Sequence, residues 1–248
     1  MGKLAVWAVQ QRILGTIMGF RIAEESHYRD TRPNEVQGTA NARSGTHLTV
    51  KRIFDIVIST LVILLVTPLL LVCMLLIRLQ DGEKSIFSQE RIGQSGKTFR
   101  CFKLRSMVPD AEMQLEFLLE RCPKARAQWD ADQKLENDPR ITPLGRFLRK
   151  SSIDELPQLF NVLRGEMSLV GPRPIIQSEV ERYGLYFDDY CSLKPGITGL
   201  WQVEGRSDTT YAERVELDVS YAKNQSLIGD IGICLRTVPA VMLRRGAK

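Results

Sequence analysis

The longest apolar run in the chain lies between Ile56 and Ile77, where 22 consecutive residues carry no charge. As a helix this run would be about 33 Å long, enough to cross the roughly 30 Å hydrocarbon core of a bilayer. Pro68 lies near its middle, and proline removes a backbone donor and clashes with the preceding turn. The pattern predicts a membrane helix kinked at Thr67-Pro68, with the Thr67 hydroxyl bonding a freed carbonyl.

Basic residues flank the apolar run on both sides. Lys51 and Arg52 precede it, and a series of Lys and Arg residues begins at Arg78. Cytoplasmic flanks are the ones enriched in Lys and Arg, so a span with one end outside the cell fits this pattern poorly. We therefore predict that residues 49–80 form a re-entrant membrane helix that enters and leaves on the cytoplasmic face. A kinked single span is the alternative.

The remainder of the chain, residues 81–248, is polar and reads as one domain. Two stretches rich in strand-forming residues flank a Gly-Gln-Ser-Gly turn, which predicts a β-hairpin, and helix-forming residues dominate further on. The predicted elements are strands at 85–91 and 97–105, helices at 109–136 with a break near Pro123 and at 143–150, and an apolar stretch at 227–245 that lies on the membrane surface or packs on the core. The expected fold class is α+β, mostly helical with a small β-hairpin.

The clearest helical pattern runs from Ser152 to Arg164. Ser152 and Glu155 have capping-box spacing, and Gly165 is a typical stop signal. Asp154 is an equally good N-cap, because Pro157 belongs in a first turn. Both registers place Asp154 and Glu155 at the helix start, where the helix dipole and free amides are expected to lower their pKa.

Residues 1–48 combine a short apolar start with a polar run, residues 27–46, that shows no periodicity and is rich in small and turn-forming residues, so we predict a variable, disordered tail. Both histidines, His27 and His47, lie in it. Proton transfer or nucleophilic attack in the domain must therefore use carboxylates, Lys, Tyr, Ser or Cys. The five cysteines form no CxxC pair, which argues against a zinc site or a disulfide framework.

The charge balance favours an anionic partner. Lys and Arg total 34 against 29 Asp and Glu, a net charge of +5. Phosphates and anionic lipids both suit such a surface.

The densest cluster of charge surrounds Asp154 and Glu155. Arg173 stands between Pro172 and Pro174, and these prolines restrict its backbone and suit it to a phosphate clamp. The other nearby cations are Arg149, Lys150 and Arg164. Carboxylates beside several cations indicate phosphoryl transfer with a bridging divalent metal. Simple helix capping is the alternative for the two carboxylates.

Five motifs resemble those of a known family. They are KRIFD at 51–55, Thr67-Pro68, FKLRSM at 102–107, RKSSIDELPQLFNVLRGEMSLVGPRP at 149–174 and KPGITGLWQVEGR at 194–206. Together they resemble the bacterial sugar transferases that are monotopic phosphoglycosyl transferases, over about residues 50–245. The similarity is greatest to the exopolysaccharide-production enzymes that act as undecaprenyl-phosphate galactose or glucose phosphotransferases. Glu204 replaces the usual Asn before Gly-Arg, which leaves the substrate preference open.

The resemblance implies transfer of a hexose 1-phosphate, galactose or glucose, from a UDP-hexose donor to undecaprenyl phosphate. Asp154 would form an aspartyl phosphosugar and expel UMP, with Mg²⁺ held by Asp154 and Glu155. The implied location is the bacterial inner membrane, with the domain on the cytoplasmic face. Membrane lipid is then a partner and nucleic acid is not, while a homo-oligomer stays open.

The remaining site residues follow from the same resemblance. Arg149 is assigned to the acceptor phosphate and Arg173 to a phosphate during transfer, with Lys103 a further candidate at the same site. Lys194 and Arg206 become candidates for the nucleotide-sugar site. Two other functions stay open: a membrane-anchored glycosyltransferase that releases UDP, and a non-catalytic scaffold of an export complex.

Overall fold

The computed structural model describes residues 45–132, 135–204 and 209–242. Nearly all of the predicted N-terminal tail lies outside these residues, as does Arg206. Helix α1 (Gly45–Asp81) contains the apolar run. Within the described residues it is the one helix long and apolar enough to cross a membrane, with a mean hydropathy of 3.0 over its most apolar window. The apolar helix is therefore confirmed, and its length fits membrane anchoring.

Helix α1 continues through Pro68, and the break predicted there stays a prediction. The Thr67 hydroxyl does donate a hydrogen bond, 2.7 Å long, to a carbonyl one turn back. Its acceptor is the carbonyl of Ile63, whereas the carbonyl that Pro68 leaves without a donor is that of Leu64. The expectation that the hydroxyl satisfies the freed carbonyl is therefore wrong by one residue.

A β-hairpin and three helices follow, close to their predicted positions. Strand β1 (Ile86–Ile92) pairs antiparallel with β2 (Thr98–Leu104), with Ile86 opposite Leu104. Ser95, in the turn, has a left-handed backbone with φ of 59°. The helices are α2 (Ala111–Arg121), α3 (Pro123–Asp132) and α4 (Pro143–Lys150). The hairpin, the break at Pro123 and the short basic helix are all confirmed.

The predicted helix start at Ser152 is wrong. Residues Ile153–Glu155 form a single 3-10 turn, and helix α5 (Gln158–Arg164) begins only after Pro157. A helix running from Ser152 would place Pro157 in its interior, where the proline ring clashes with the carbonyl four residues back. Ser152 has a left-handed backbone and makes no side-chain cap, whereas Gly165 ends the helix with φ of 82°, as predicted.

Among the described residues that follow there are two short parallel strands and five further α-helices. Ser168 pairs with Gly196 and Val170 with Thr198. The elements are β3 (Ser168–Val170), α6 (Val180–Tyr183), α7 (Phe187–Cys191), β4 (Gly196–Thr198), α8 (Leu200–Glu204), α9 (Tyr211–Asn224) and α10 (Leu227–Met242). The described residues are thus mostly helical with a small hairpin.

Helix α1 packs along the domain at both of its ends. Near its start, the Asp55 carboxylate accepts a 3.1 Å hydrogen bond from the amide of Leu169. Arg52 donates to the carbonyls of Val162 and Leu163, which lie in the last turn of α5. Near its other end, Leu70, Cys73 and Ile77 share a buried cluster with Leu104 and Leu148.

The hydrophobic core has three clusters among the described residues, and α1 contributes to two of them. The third brings together Ile92, Ile175, Tyr183, Tyr190, Val215 and Val219, none of which belongs to α1. This third cluster, formed around α6, α7 and α9, therefore lies in the part of the domain that packs without the apolar helix.

Candidate active site

The two adjacent carboxylates predicted as catalytic lie in the 3-10 turn between α4 and α5. Asp154 is buried, with 6% of the residue exposed. The side chain of Glu155 is 34% exposed, and its Oε1 lies 2.7 Å from the Nζ of Lys103 on β2. The structure therefore brings Lys103 to the carboxylate pair, as predicted.

The carboxylates have unequal acidity. Burial raises the pKa of Asp154, the charge of Glu155 raises it further, and Lys103 and Arg149 offset this only in part, so that the value is about 6. Burial also acts to raise the pKa of Glu155, but Lys103 and Arg173 outweigh it and hold the pKa below its usual range. Neighbouring carboxylates with divergent pKa values are typical of sites where each has a separate role.

The expectation that both pKa values are lowered is thus confirmed for Glu155 and wrong for Asp154. The main physical reason is burial, which disfavours the charged form of Asp154. The second cause is the neighbouring charge of Glu155. Helix α5 starts at Gln158, so Asp154 lies before the helix and not in its first turn.

Arg149 and Arg173 approach the pair from different elements. Arg149, in the last turn of α4, donates a 2.8 Å hydrogen bond from Nε to the hydroxyl of Ser106. Burial lowers its pKa, and the charge of Asp154 opposes that shift. Arg173 is half-buried between Pro172 and Pro174, which are both buried. Both arginines therefore act electrostatically on the carboxylates.

Lys194 lies elsewhere. A Cβ atom added at Gly165 would stand 3.6 Å from its Nζ and 3.5 Å from Nη2 of Arg52. Burial and the charge of Arg52 lower the pKa of Lys194. Gly165 ends α5, whereas Asp154 precedes its start, so the structure does not bring Lys194 to the carboxylate pair.

Asn161 is a site-supporting residue that the sequence reasoning missed. It is fully buried on α5, and its Oδ1 accepts a 3.0 Å hydrogen bond from the amide of Phe102. Its Nδ2 donates to the carbonyl of Arg100 and to Glu166. These bonds fix β2, which carries Lys103, against the helix that follows Asp154. An amide side chain among the apolar positions of α5 was the available signal.

Asp154 and Glu155 are the candidate metal ligands. Among the described residues, no group of three or more His, Cys, Asp or Glu side chains is placed to hold a metal ion. Mg²⁺ commonly binds one or two protein carboxylates and completes its shell with water and substrate phosphates. Two carboxylates beside several cations fit that pattern.

An acidic pair surrounded by Lys103, Arg149 and Arg173, on a domain packed against an apolar helix, fits a membrane-associated enzyme that acts on phosphate groups. The family model of the bacterial sugar transferases matches residues 46–244. The chain belongs to the bacterial sugar transferase family, and the resemblance drawn from the sequence motifs is confirmed.

Curated relatives agree with this assignment. The chain is 49% identical over 212 residues to the undecaprenyl-phosphate galactose phosphotransferase of Salmonella typhimurium. The matched region covers 86% of this chain and 44% of that protein. The chain is 44% identical over 197 residues to the exopolysaccharide production protein ExoY of Sinorhizobium fredii, covering 79% and 87%. It is 40% identical over 200 residues to the UDP-glucose:undecaprenyl-phosphate glucose-1-phosphate transferase of Caulobacter vibrioides, covering 77% and 69%. The chain thus spans less than half of the Salmonella relative.

Proposed function

We propose that the protein transfers a hexose 1-phosphate, galactose or glucose, from a UDP-hexose to undecaprenyl phosphate and releases UMP. This step would start the synthesis of a lipid-linked exopolysaccharide. The observation that carries the proposal is the pair Asp154 and Glu155, with divergent pKa values and with Lys103, Arg149 and Arg173 around it. Relatives named for galactose and for glucose transfer support both hexoses as candidates.

In the first step, an Asp154 carboxylate oxygen attacks the sugar-bearing phosphorus of the donor. A bond forms between this oxygen and phosphorus, and the bond to the bridging oxygen breaks, so that UMP leaves with that oxygen and its electron pair. In the second step, a phosphate oxygen of undecaprenyl phosphate attacks the same phosphorus and releases Asp154. A soluble donor and a membrane-bound acceptor then need not occupy the site together, and the kinetics are ping-pong.

The unequal pKa values support a division of labour. At neutral pH Asp154, with a pKa of about 6, is mostly ionised and retains substantial basicity. Glu155 is more acidic and pairs with Lys103, so it suits a positioning and metal-binding role better than attack. Together the two carboxylates would hold Mg²⁺, which when bound supplies positive charge against the donor diphosphate.

The acceptor is expected to reach the site from the membrane side. A cavity of about 300 Å³ lies between α1, β2 and α5, and its apolar lining includes Leu70, Met74, Phe102 and Phe160 with Arg164 at the same cavity. An apolar cavity beside a cation suits the first isoprene units of a polyprenyl phosphate. Arg149, close to Asp154, is assigned to the acceptor phosphate.

We further propose that α1 is re-entrant and that the domain rests on the cytoplasmic face of the bacterial inner membrane. Contacts from both ends of α1 to the same domain support this topology, through Asp55 at one end and Ile77 at the other. A helix that carried its second end to the opposite membrane face could not keep both sets of contacts.

Identification of the released nucleotide tests the proposed function. The purified protein is incubated with polyprenyl phosphate, Mg²⁺ and either UDP-galactose or UDP-glucose. We expect UMP and a lipid-linked hexose phosphate. Release of UDP would instead indicate a glycosyltransferase that leaves the phosphate behind, and absence of any product with either donor would indicate a scaffold.

The reaction should depend on pH through Asp154. Because attack requires the ionised carboxylate, we expect kcat/KM for the donor to fall about tenfold per pH unit below about pH 6 and to level off above it. Lys103→Met should move the midpoint upward, since the Lys103 charge lowers the pKa of Asp154. Lys97→Met, at an exposed position in the hairpin turn, should leave it unchanged. Initial rates between about pH 5 and about pH 8 measure the midpoint, and a flat profile would contradict the assignment.

A further inference from the structure

Aromatic and arginine side chains form a group where α8 meets α9. The guanidinium carbons of Arg173 and Arg214 lie 5.7 and 5.1 Å from the centroid of the same indole ring, that of Trp201 on α8. Arg214 also lies 5.0 Å from the ring centroid of Tyr211. We call Trp201, Tyr211 and Arg214 the α9 cluster. Arg173 lies over the Trp201 ring of the α9 cluster, and its charge also lowers the pKa of Glu155.

The α9 cluster contains buried polar atoms without a hydrogen-bond partner among the described residues. They are Nε and Nη2 of Arg214, the indole Nε1 of Trp201 and the hydroxyl of Tyr211. The Arg214 side chain is 11% exposed, and its Nη1 lies 3.8 Å from the Glu179 carboxylate. An unsatisfied buried donor costs about 1–3 kcal/mol, and more when it is charged. Several such donors on three residues in mutual contact indicate a ligand that supplies acceptors.

The charge around the α9 cluster favours an anion. The Glu179 carboxylate is shared between two arginines, because Nη1 of Arg91 lies 3.7 Å from one of its oxygens and Nη1 of Arg214 lies 3.8 Å from the other. Asp218, the other nearby carboxyl, is buried and accepts a 2.8 Å hydrogen bond from the Tyr183 hydroxyl. Burial raises its pKa to about 7, so it supplies only part of a negative charge at neutral pH. The arginines are therefore not fully neutralised by the described residues around them.

The position of the α9 cluster favours a water-soluble ligand. Tyr211 packs against the core cluster that contains no residue of α1. The other two core clusters both include α1, which is the element with the apolar surface for lipid. A lipid phosphate would approach along α1, so a water-soluble nucleotide is the better candidate ligand for the α9 cluster.

We propose that Trp201, Tyr211 and Arg214 form the subsite for the nucleoside monophosphate that leaves the donor. Arg214 binds the phosphate that departs with uridine, while Arg173 binds the phosphate that is transferred. A guanidinium can donate two parallel hydrogen bonds to phosphate oxygens, which would occupy its free Nε and Nη2. The indole and phenol groups add donors and aromatic surface. This inference rests on the proposed function and assigns to it residues outside the carboxylate pair.

Titration with UMP tests the subsite. The full chain with Asp154→Asn is used, because this substitution prevents the reaction. It is compared with the same chain that also carries Arg214→Met, Arg214→Lys or Trp201→Phe. We expect Arg214→Met to weaken UMP binding about 10- to 100-fold and Arg214→Lys to recover only part of it. Trp201→Phe, which keeps an aromatic ring and removes one donor, should weaken binding about threefold to tenfold. Lys223→Met is the control, because Lys223 is an exposed cation on α9 that does not belong to the α9 cluster.

A second titration with a short-chain polyprenyl phosphate separates the two phosphate sources. Its affinity should be the same in all these variants. Unchanged UMP affinity in folded Arg214→Met and Trp201→Phe proteins would overturn the subsite, as would a loss confined to polyprenyl phosphate. If Arg214→Met lowers the thermal midpoint, Trp201→Phe decides the question. If these variants bind UMP normally while the wild-type protein still releases UMP from UDP-hexose, only the subsite is wrong. If the wild-type protein releases UDP or no nucleotide, the proposed function itself is wrong.

Discussion

Replacing Asp154 with Asn is expected to lower turnover of UDP-hexose by roughly 10,000-fold or more, because it removes the proposed nucleophile while keeping the shape of the side chain. Glu155 cannot take over the attack. Its carboxylate is less basic and is held by Lys103 at 2.7 Å. The residual rate then reflects only substrate binding and the surrounding cations.

Mass measurement of the intact protein shows whether the intermediate forms. With UDP-hexose and no acceptor, the wild-type protein should gain the mass of one hexose phosphate, and Asp154→Asn should not. Asp188→Asn changes an exposed carboxylate on α7 in the same way, and it should retain both the adduct and turnover. Normal turnover by a folded Asp154→Asn protein would falsify the aspartyl intermediate.

Loss of folding is not expected to confound the Asp154→Asn result. Asp154 binds its proton more tightly in the folded protein, with a pKa of about 6, than at its ordinary value of 3.8. Ionised Asp154 therefore opposes folding by about 3 kcal/mol above pH 6, a cost that develops as the pH rises between the two values. A neutral amide avoids this cost. The thermal midpoint of Asp154→Asn at neutral pH should equal or exceed that of the wild-type protein.

The local sequence pattern is sufficient to predict several secondary-structure elements. The β-hairpin, the helix break at Pro123 and helix α4 follow from turn residues, proline and residue propensity within short windows. The approach of Lys103 to the carboxylates was anticipated through the family motifs. Where neighbours in sequence decide the conformation, the sequence was therefore informative.

Features that depend on tertiary packing could not be predicted in this way. The raised pKa of Asp154 arises mainly from burial, which depends on how distant elements enclose the 3-10 turn. Lys194 is a candidate for the nucleotide-sugar site through its family motif, but its position at the C-terminal end of α5 beside Arg52 follows only from the packing. Trp201 and Arg214 meet only because α8 packs on α9. None of these contacts leaves a periodic signal in the chain.

A buried ion pair attaches the start of α1 to the domain. Lys51 Nζ lies 2.6 Å from Asp230 on α10, and the side chains are 9% and 0% exposed. Asp230 also accepts a 2.7 Å hydrogen bond from the Tyr221 hydroxyl, and both Lys51 and Tyr221 donate to the carbonyl of Val170. One network thus joins α1, β3, α9 and α10, and its disruption should affect the whole domain.

Lys51→Met is expected to destabilise the protein by about 3–5 kcal/mol, because it leaves the Asp230 carboxylate buried without its cation. Thermal unfolding in detergent should show this as a midpoint lowered by about 10 °C. Arg236→Met breaks the 3.1 Å ion pair with Glu204, whose side chains are 61% and 44% exposed, and should change stability by less than about 1 kcal/mol. The double variant Lys51→Met with Asp230→Leu should recover much of the loss, because no unpaired charge stays buried. If the double variant is as unstable as Lys51→Met alone, loss of packing rather than the unpaired carboxylate explains the effect.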